Sequence, residues 1–202
     1  MPADTSERTL GHYAANAFVF REKTIDHDVS QNIRALLNAI EGQAPFNILD
    51  FGCGPGRDLR VFKELGHNPV GLDGCGQFVE MAQSYAGACV WHQDFLALSL
   101  APALFDGIFA NASLFHVPSA ELPRVLSELR LSLKPRGVLF CSNPRGNDEG
   151  WNGERYGCHF ELDRWLAYFN DAGFDLVYHY YRPEGLPNSE QPWLAMVLRR
   201  VA

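Results

Sequence analysis

Residues 47 to 56 read Asn-Ile-Leu-Asp-Phe-Gly-Cys-Gly-Pro-Gly, an apolar run that carries Asp50 and opens into Gly52, Gly54 and Gly56 at alternate positions. Glycines spaced this way let a backbone turn tightly and let a ligand approach where a Cβ would intrude. The third glycine position of a dinucleotide fingerprint, GxGxxG, is Arg57 here, so the spacing departs from that motif. Asp73 ends a second apolar run and offers two carboxylate oxygens, enough to accept from a pair of neighbouring hydroxyls. Asn111 and His116 follow a later apolar run, and a histidine there can orient a substrate or take a proton. Arg145, Arg155 and Arg182 fall in two segments rich in large rings, with Trp151, Tyr156, Tyr180 and Tyr181. An arginine fork holds a carboxylate through two parallel N–H bonds, whereas pairing with Asp148, Glu149, Glu154 or Glu184 would only stiffen the loops.

The stretch from Asn47 to Gly56 resembles the nucleotide-binding motif of class I S-adenosylmethionine-dependent methyltransferases, and the order of strands and helices is similar over about residues 10 to 200. The resemblance implies S-adenosylmethionine as cofactor. Asp50 would face its ammonium, and Gly52, Cys53, Gly54 and Gly56, with the helix N-terminus after them, its carboxylate. Asp73 and Gly74 would meet the ribose, Asp94 and Phe95 the adenine, and Asn111 the reacting end, with His116 beside the acceptor. Tyr13 and Phe18 would form an aromatic lid over the sulfonium. The Asn/Asp-Pro-Pro-aromatic sequence typical of enzymes that methylate base amino groups is absent, since positions 111 to 114 read Asn-Ala-Ser-Leu.

Positioning these residues requires alternating strands and helices, and Gly and Pro punctuate the chain accordingly. Val29, Ile33, Leu36, Leu37 and Ile40 predict a helix over about 27 to 41, and strands are predicted at 46 to 51, 69 to 73, 88 to 92, 105 to 110 and 138 to 142. Helices are expected from about Arg57 to Gly66, from Gln77 to Tyr85, from a Ser119 cap to Lys134 with Glu121 and Glu128 on its polar side, and from Leu162 to Ala172. Two strands close the chain, at about 174 to 181 and 193 to 199. The short connection between them favours a hairpin, so the last strand should run antiparallel. The expected fold is α/β: a Rossmann-like, mostly parallel seven-stranded sheet flanked by helices. We expect one domain, 1–202, with 1–26 as a lid and 143–160 as a substrate-side loop whose Asn147 to Cys158 segment covers the acceptor.

Composition narrows the partners. A net charge of −7 argues against a phosphate backbone as ligand, and no apolar run approaches the length needed to span a bilayer. A cytoplasmic enzyme without a membrane partner is expected. The five cysteines are scattered without a CxxC pair and the seven histidines form no ligand pattern, so no metal is expected. Together these readings point to in-line methyl transfer to a small molecule bearing a carboxylate or similar anion, held by one or more of Arg145, Arg155 and Arg182 and bordered by Trp151, Tyr180 and Tyr181, with Tyr156 also on the substrate side. The alternatives are methylation of tRNA or protein, and a cofactor-binding subunit that does no chemistry.

Overall fold

The computed structural model describes residues 2–201. Its centre is a seven-stranded sheet made of β1 (Asn47–Phe51), β2 (Asn68–Asp73), β3 (Cys89–His92), β4 (Phe105–Asn111), β5 (Leu133–Pro144), β8 (Phe174–Arg182) and β9 (Trp193–Arg200). The spatial order is β3-β2-β1-β4-β5-β9-β8. The first five strands are parallel, and β9 lies between β5 and β8, antiparallel to both. The expected antiparallel last strand is therefore present, inserted inside the sheet rather than added at its rim.

Apolar side chains on both sheet faces explain why these runs are strands. Leu49, Phe51, Ile108, Leu139 and Cys141 pack on one face, and Ile48, Phe109, Val138 and Phe140 on the other, all of them fully buried. Helices α4 (Arg57–Glu64), α5 (Gly76–Ala86), α6 (Leu122–Ser132) and α7 (Leu162–Asp171) connect the strands, and α3 (Ser30–Ala39) precedes β1. Helix α3 is shorter at both ends than its apolar spacing predicts, because Val29 and Ile40 have already left helical geometry. Helix α6 starts at Leu122 and ends at Ser132, within the 119–134 span expected. Ser119 does not cap it: its backbone N–H donates to Glu149 Oε1 at 2.8 Å. Glu121 and Glu128 do lie on the polar side, both paired with Arg124 at 2.9 Å.

Two parts of the chain carry structure that periodicity did not show. Residues before α3 form helices α1 (Pro2–Ala15) and α2 (Ala17–Thr24). The segment expected to be a loop forms a hairpin of β6 (Asp148–Asn152) and β7 (Arg155–His159), a separate two-stranded sheet. No helix among the described residues is long and apolar enough to cross a membrane.

Candidate active site

The C-terminal ends of β1, β2, β3, β4, β5 and β8 and the start of β9 lie on one rim of the sheet, where α/β folds bind ligands. A cavity of about 650 Å³ opens there. Its floor is the glycine loop with Asp58, Asn111, Ala112 and Ser113, and its roof is α1 and α2. Ser6, Thr9, Leu10 and Tyr13 line it at helical spacing, so one stripe of α1 borders the cavity, with Leu10 and Tyr13 also packed on Cys75 and Phe78.

The glycine loop is shaped by two demands. Gly56 has φ 92°, and a Cβ there would stand 2.7 Å from Ala82 Cα, so helix α5 itself requires the glycine. Gly54, at φ 52°, is different: a Cβ would find only Phe20 Cε1 at 3.9 Å, and would project into the cavity. Asp73 ties this loop to the end of β2. Its Oδ2 accepts from Gly54 N–H at 2.9 Å and its Oδ1 from Cys75 N–H at 2.8 Å. Burial pushes its pKa up to about 6, against the pull of those backbone donors. Gly74, Asp94 and Phe95 continue the wall at this end, where Asp94 Oδ2 accepts from Ser6 Oγ at 2.5 Å and Oδ1 from Leu96 N–H at 2.8 Å.

Asp50 does not reach the cavity wall as expected. It is buried behind Asp58, its Oδ2 has no hydrogen-bond partner, and burial together with the charge of Asp58 raises its pKa well above the carboxylate range. Asp58, which the sequence reading missed, holds the wall position in its place. It receives Arg57 Nε at 2.6 Å and Nη2 at 2.9 Å, and Asn111 Nδ2 at 3.2 Å. Asn111 lines the cavity but is tied into this network, since its Oδ1 accepts from Asn32 Nδ2 at 2.9 Å and Asn32 Oδ1 from Tyr180 Oη at 2.8 Å. Helix α4 begins one residue after the glycine loop, and Asp58 in its first turn was the available signal. Ala112 follows with φ 60°, a left-handed conformation unusual for alanine, which marks the floor as locally strained.

His116 closes a short 3-10 turn, Leu114–His116, after β4. Its Nδ1 lies 2.6 Å from the Tyr156 carbonyl oxygen, which can only accept, so Nδ1 carries the proton. Nε2 is then an acceptor, and Tyr13 Oη donates to it at 2.8 Å. Burial pushes the His116 pKa down to about 4, leaving a neutral imidazole. The Tyr13 hydroxyl is raised by burial and opposed by a hydrogen bond from Arg155.

The lid residue Tyr13 is in place, its ring edge-on to Phe20 at 5.5 Å and 5.7 Å from Phe78. Phe18 is not: it is 75% exposed, and Phe20 takes the inward position because Ala17, Phe20 and Thr24 share the inner face of α2. Of the substrate-side arginines, Arg155 and Arg182 line the cavity. Arg182 makes a long contact of 3.5 Å to the Asp28 carbonyl. Arg145 lies outside it, bonded to Glu161, Asn188 and Gln191 and stacked 4.4 Å over the Tyr181 ring, which is thereby turned away as well. Trp151 lies under Arg8 at 4.2 Å on the outside of the hairpin. Tyr156 donates its hydroxyl to Glu149 at 2.8 Å, and contributes to the site through its carbonyl.

This fold and rim have clear counterparts. Residues 49–141 match the family model described as a methyltransferase domain. Trans-aconitate 2-methyltransferase of Azoarcus sp. is 31% identical over 118 residues, 57% of this chain and 46% of that protein. The 18S rRNA (guanine-N(7))-methyltransferase bud23 of Schizosaccharomyces pombe is 27% identical over 63% of this chain and 50% of its own length. Among solved structures, 1,6-didemethyltoxoflavin-N1-methyltransferase of Burkholderia thailandensis, with 1,6-didemethyltoxoflavin and S-adenosylhomocysteine bound, superposes with a TM-score of 0.80 at 21% identity. It covers 100% of this chain and 91% of that one. The matched region is that of a methyltransferase domain, and the fold of the whole chain is the Rossmann-like fold of solved S-adenosylmethionine-dependent methyltransferases. The chain spans half or less of the length of these two curated relatives.

Proposed function

We propose that the protein transfers a methyl group from S-adenosylmethionine to a small molecule bearing a carboxylate or similar anion. The observation that carries this reading is the continuous cavity of about 650 Å³ running from Asp94 past the glycine loop to Arg182 and Trp193. Its residues fit the cofactor. Gly54 leaves the space a ligand would fill, Asp73 keeps lone pairs beyond its two backbone donors for ribose hydroxyls, and Asp94 with Phe95 suits an adenine edge. When bound, the cofactor supplies an electrophilic methyl group. The protein's part is to align the acceptor with it and exclude water. Arg182, with Arg155 nearer the hairpin, provides guanidinium groups for an anionic acceptor, and Trp193, Pro183 and Val29 give that end an apolar border.

A macromolecular acceptor is the second reading, favoured by the likeness to the rRNA enzyme. Against it stand the net charge of −7 and a cavity roofed by α1 and α2. The test offers labelled S-adenosylmethionine with separate pools of small metabolites, RNA and protein, alongside calorimetry with S-adenosylhomocysteine. Low-micromolar binding, about −8 kcal/mol, and label confined to the metabolite pool are expected. Label in RNA or protein would select the second reading. Binding with no transfer would identify a cofactor-binding subunit, and no binding would remove the cofactor assignment.

A further inference from the structure

We propose that the Tyr13 hydroxyl, backed by His116 Nε2, takes the proton lost by the acceptor, and that the methylated atom is therefore an O–H or N–H group. This inference rests on the methyl-transfer reading above. It concerns what the site demands of the acceptor atom, a separate matter from the anion held near Arg182.

Three observations carry it. The Tyr156 carbonyl fixes the His116 tautomer, so that Nε2 is a lone pair aimed at Tyr13 Oη, 2.8 Å away. Tyr13 donates its own hydrogen into that bond, and with Arg155 meeting one lone pair of its oxygen the other is left as an acceptor; both Tyr13 and His116 line the cavity. Finally, charged groups surround the pair: Asp73 faces Tyr13 from the end of β2 and favours a proton there, whereas Arg155 and His159 on β7 oppose a positive charge on His116, so the proton is held only in passing. A tyrosine that only pinned α1 would need none of this polarity on the cavity side.

The step balances without another reactant. A lone pair on the acceptor heteroatom forms the new bond to the methyl carbon, and the carbon–sulfur bond breaks with its electron pair left on sulfur. The heteroatom keeps the electrons of its X–H bond, its proton passes to Tyr13 Oη, and the proton of Tyr13 passes to His116 Nε2. One positive charge stands in the site before the step, on sulfur, and one after it, on the imidazolium. The low basicity of buried His116 keeps it neutral until the step, and it then holds the proton only transiently. The same weakness returns the proton to solvent once product leaves. A carboxylate acceptor would leave the pair idle, because that oxygen has no proton to lose at neutral pH.

The deciding measurement is the titration of His116 by nitrogen NMR in the complete protein, with saturating S-adenosylmethionine and then with S-adenosylhomocysteine. The expected result is a neutral ring protonated at Nδ1 in both, with a pKa about one unit or more higher beside the uncharged thioether. Equal pKa values in the two complexes would overturn the relay while leaving cofactor binding intact. Failure of both ligands to bind would overturn the underlying reading and the relay together. With an acceptor in hand, Tyr13→Phe should lower kcat about 100-fold or more with KM for the acceptor nearly unchanged. Undiminished turnover in that variant, or a product methylated on a carboxylate oxygen, would count against the relay as firmly as the NMR result.

Discussion

Asp73 and His116 are both held by burial away from their ordinary ionisation, in opposite senses, and their effects on stability should oppose one another. Asp73 is raised to about 6, so its contribution is present below the ordinary carboxylate value of about 3.9 and is lost as pH rises through 6. His116 is lowered to about 4, so its contribution is present above about 6.5 and is lost as pH falls through 4. Each is worth on the order of 3 kcal/mol at its limit. We predict that the melting temperature of His116→Gln, taken relative to the parent, rises as pH falls from 6.5 to 4. Asp73→Asn should show a constant offset and a relative rise from pH 4 to 6. Thermal melts across that range check both, and flat difference curves would mean that neither group is buried as described. The types of both residues and their places after strands were legible in the sequence. Their partners were not, since the Tyr13 to His116 contact joins positions 103 residues apart and no spacing rule reaches that far.

At the scale of elements, the strands were legible because five of them are apolar runs buried on both faces, and the hairpin was hidden because it is not. Strand β6 has no buried residue, and its Trp151 is 41% exposed, so no period-two pattern marks it. Phe18 and Phe20 are equally aromatic in sequence, and only the phase of α2 decides which faces inward. The glycine loop was read as one motif, whereas the structure divides its labour. Gly56→Ala should destabilise the fold by about 2 kcal/mol or more, because Ala82 backbone stands in the way of the new methyl. Gly54→Ala should cost about 1 kcal/mol for its left-handed backbone and still fold, yet weaken S-adenosylhomocysteine binding at least tenfold, about 1.4 kcal/mol. Denaturant titration and calorimetry on the two variants separate these effects. Unaltered affinity in Gly54→Ala would show that the ligand does not approach that Cα.

Across the whole molecule, the roof of the cavity is held in place by a small apolar cluster, in which Leu10, Tyr13, Ala17 and Phe20 pack on Cys75 and Phe78, and by a ring of polar contacts. Ser6 bonds Asp94, Thr9 Oγ1 accepts from Tyr156 N–H at 3.1 Å, Tyr13 bonds His116, and Arg8 pairs with Glu154 at 2.5 Å. The hairpin in turn bonds the segment after β4 through Glu149 to Ser119 and through Tyr156 to His116. Contacts of this kind are individually weak when exposed, and the Arg8–Glu154 pair is about half exposed on each side. By contrast β1, β4 and β5 bury most of their side chains. Because the contacts of the roof are fewer and more exposed than those within the sheet, α1 and the hairpin belong to the least stable part of the structure. Once inside, a ligand touching Asp73, Asp94 and Tyr13 would link roof and floor directly. Hydrogen exchange should therefore find the amides of α1 and β6–β7 less protected than those of β1, β4 and β5 in the free protein. On addition of S-adenosylhomocysteine the two weak segments should gain protection together, because Thr9 and Arg8 join them to each other as well as to the site. Protection gained by α1 alone would show that the hairpin is an independent flap, and protection gained by neither would place the point of entry elsewhere on the rim.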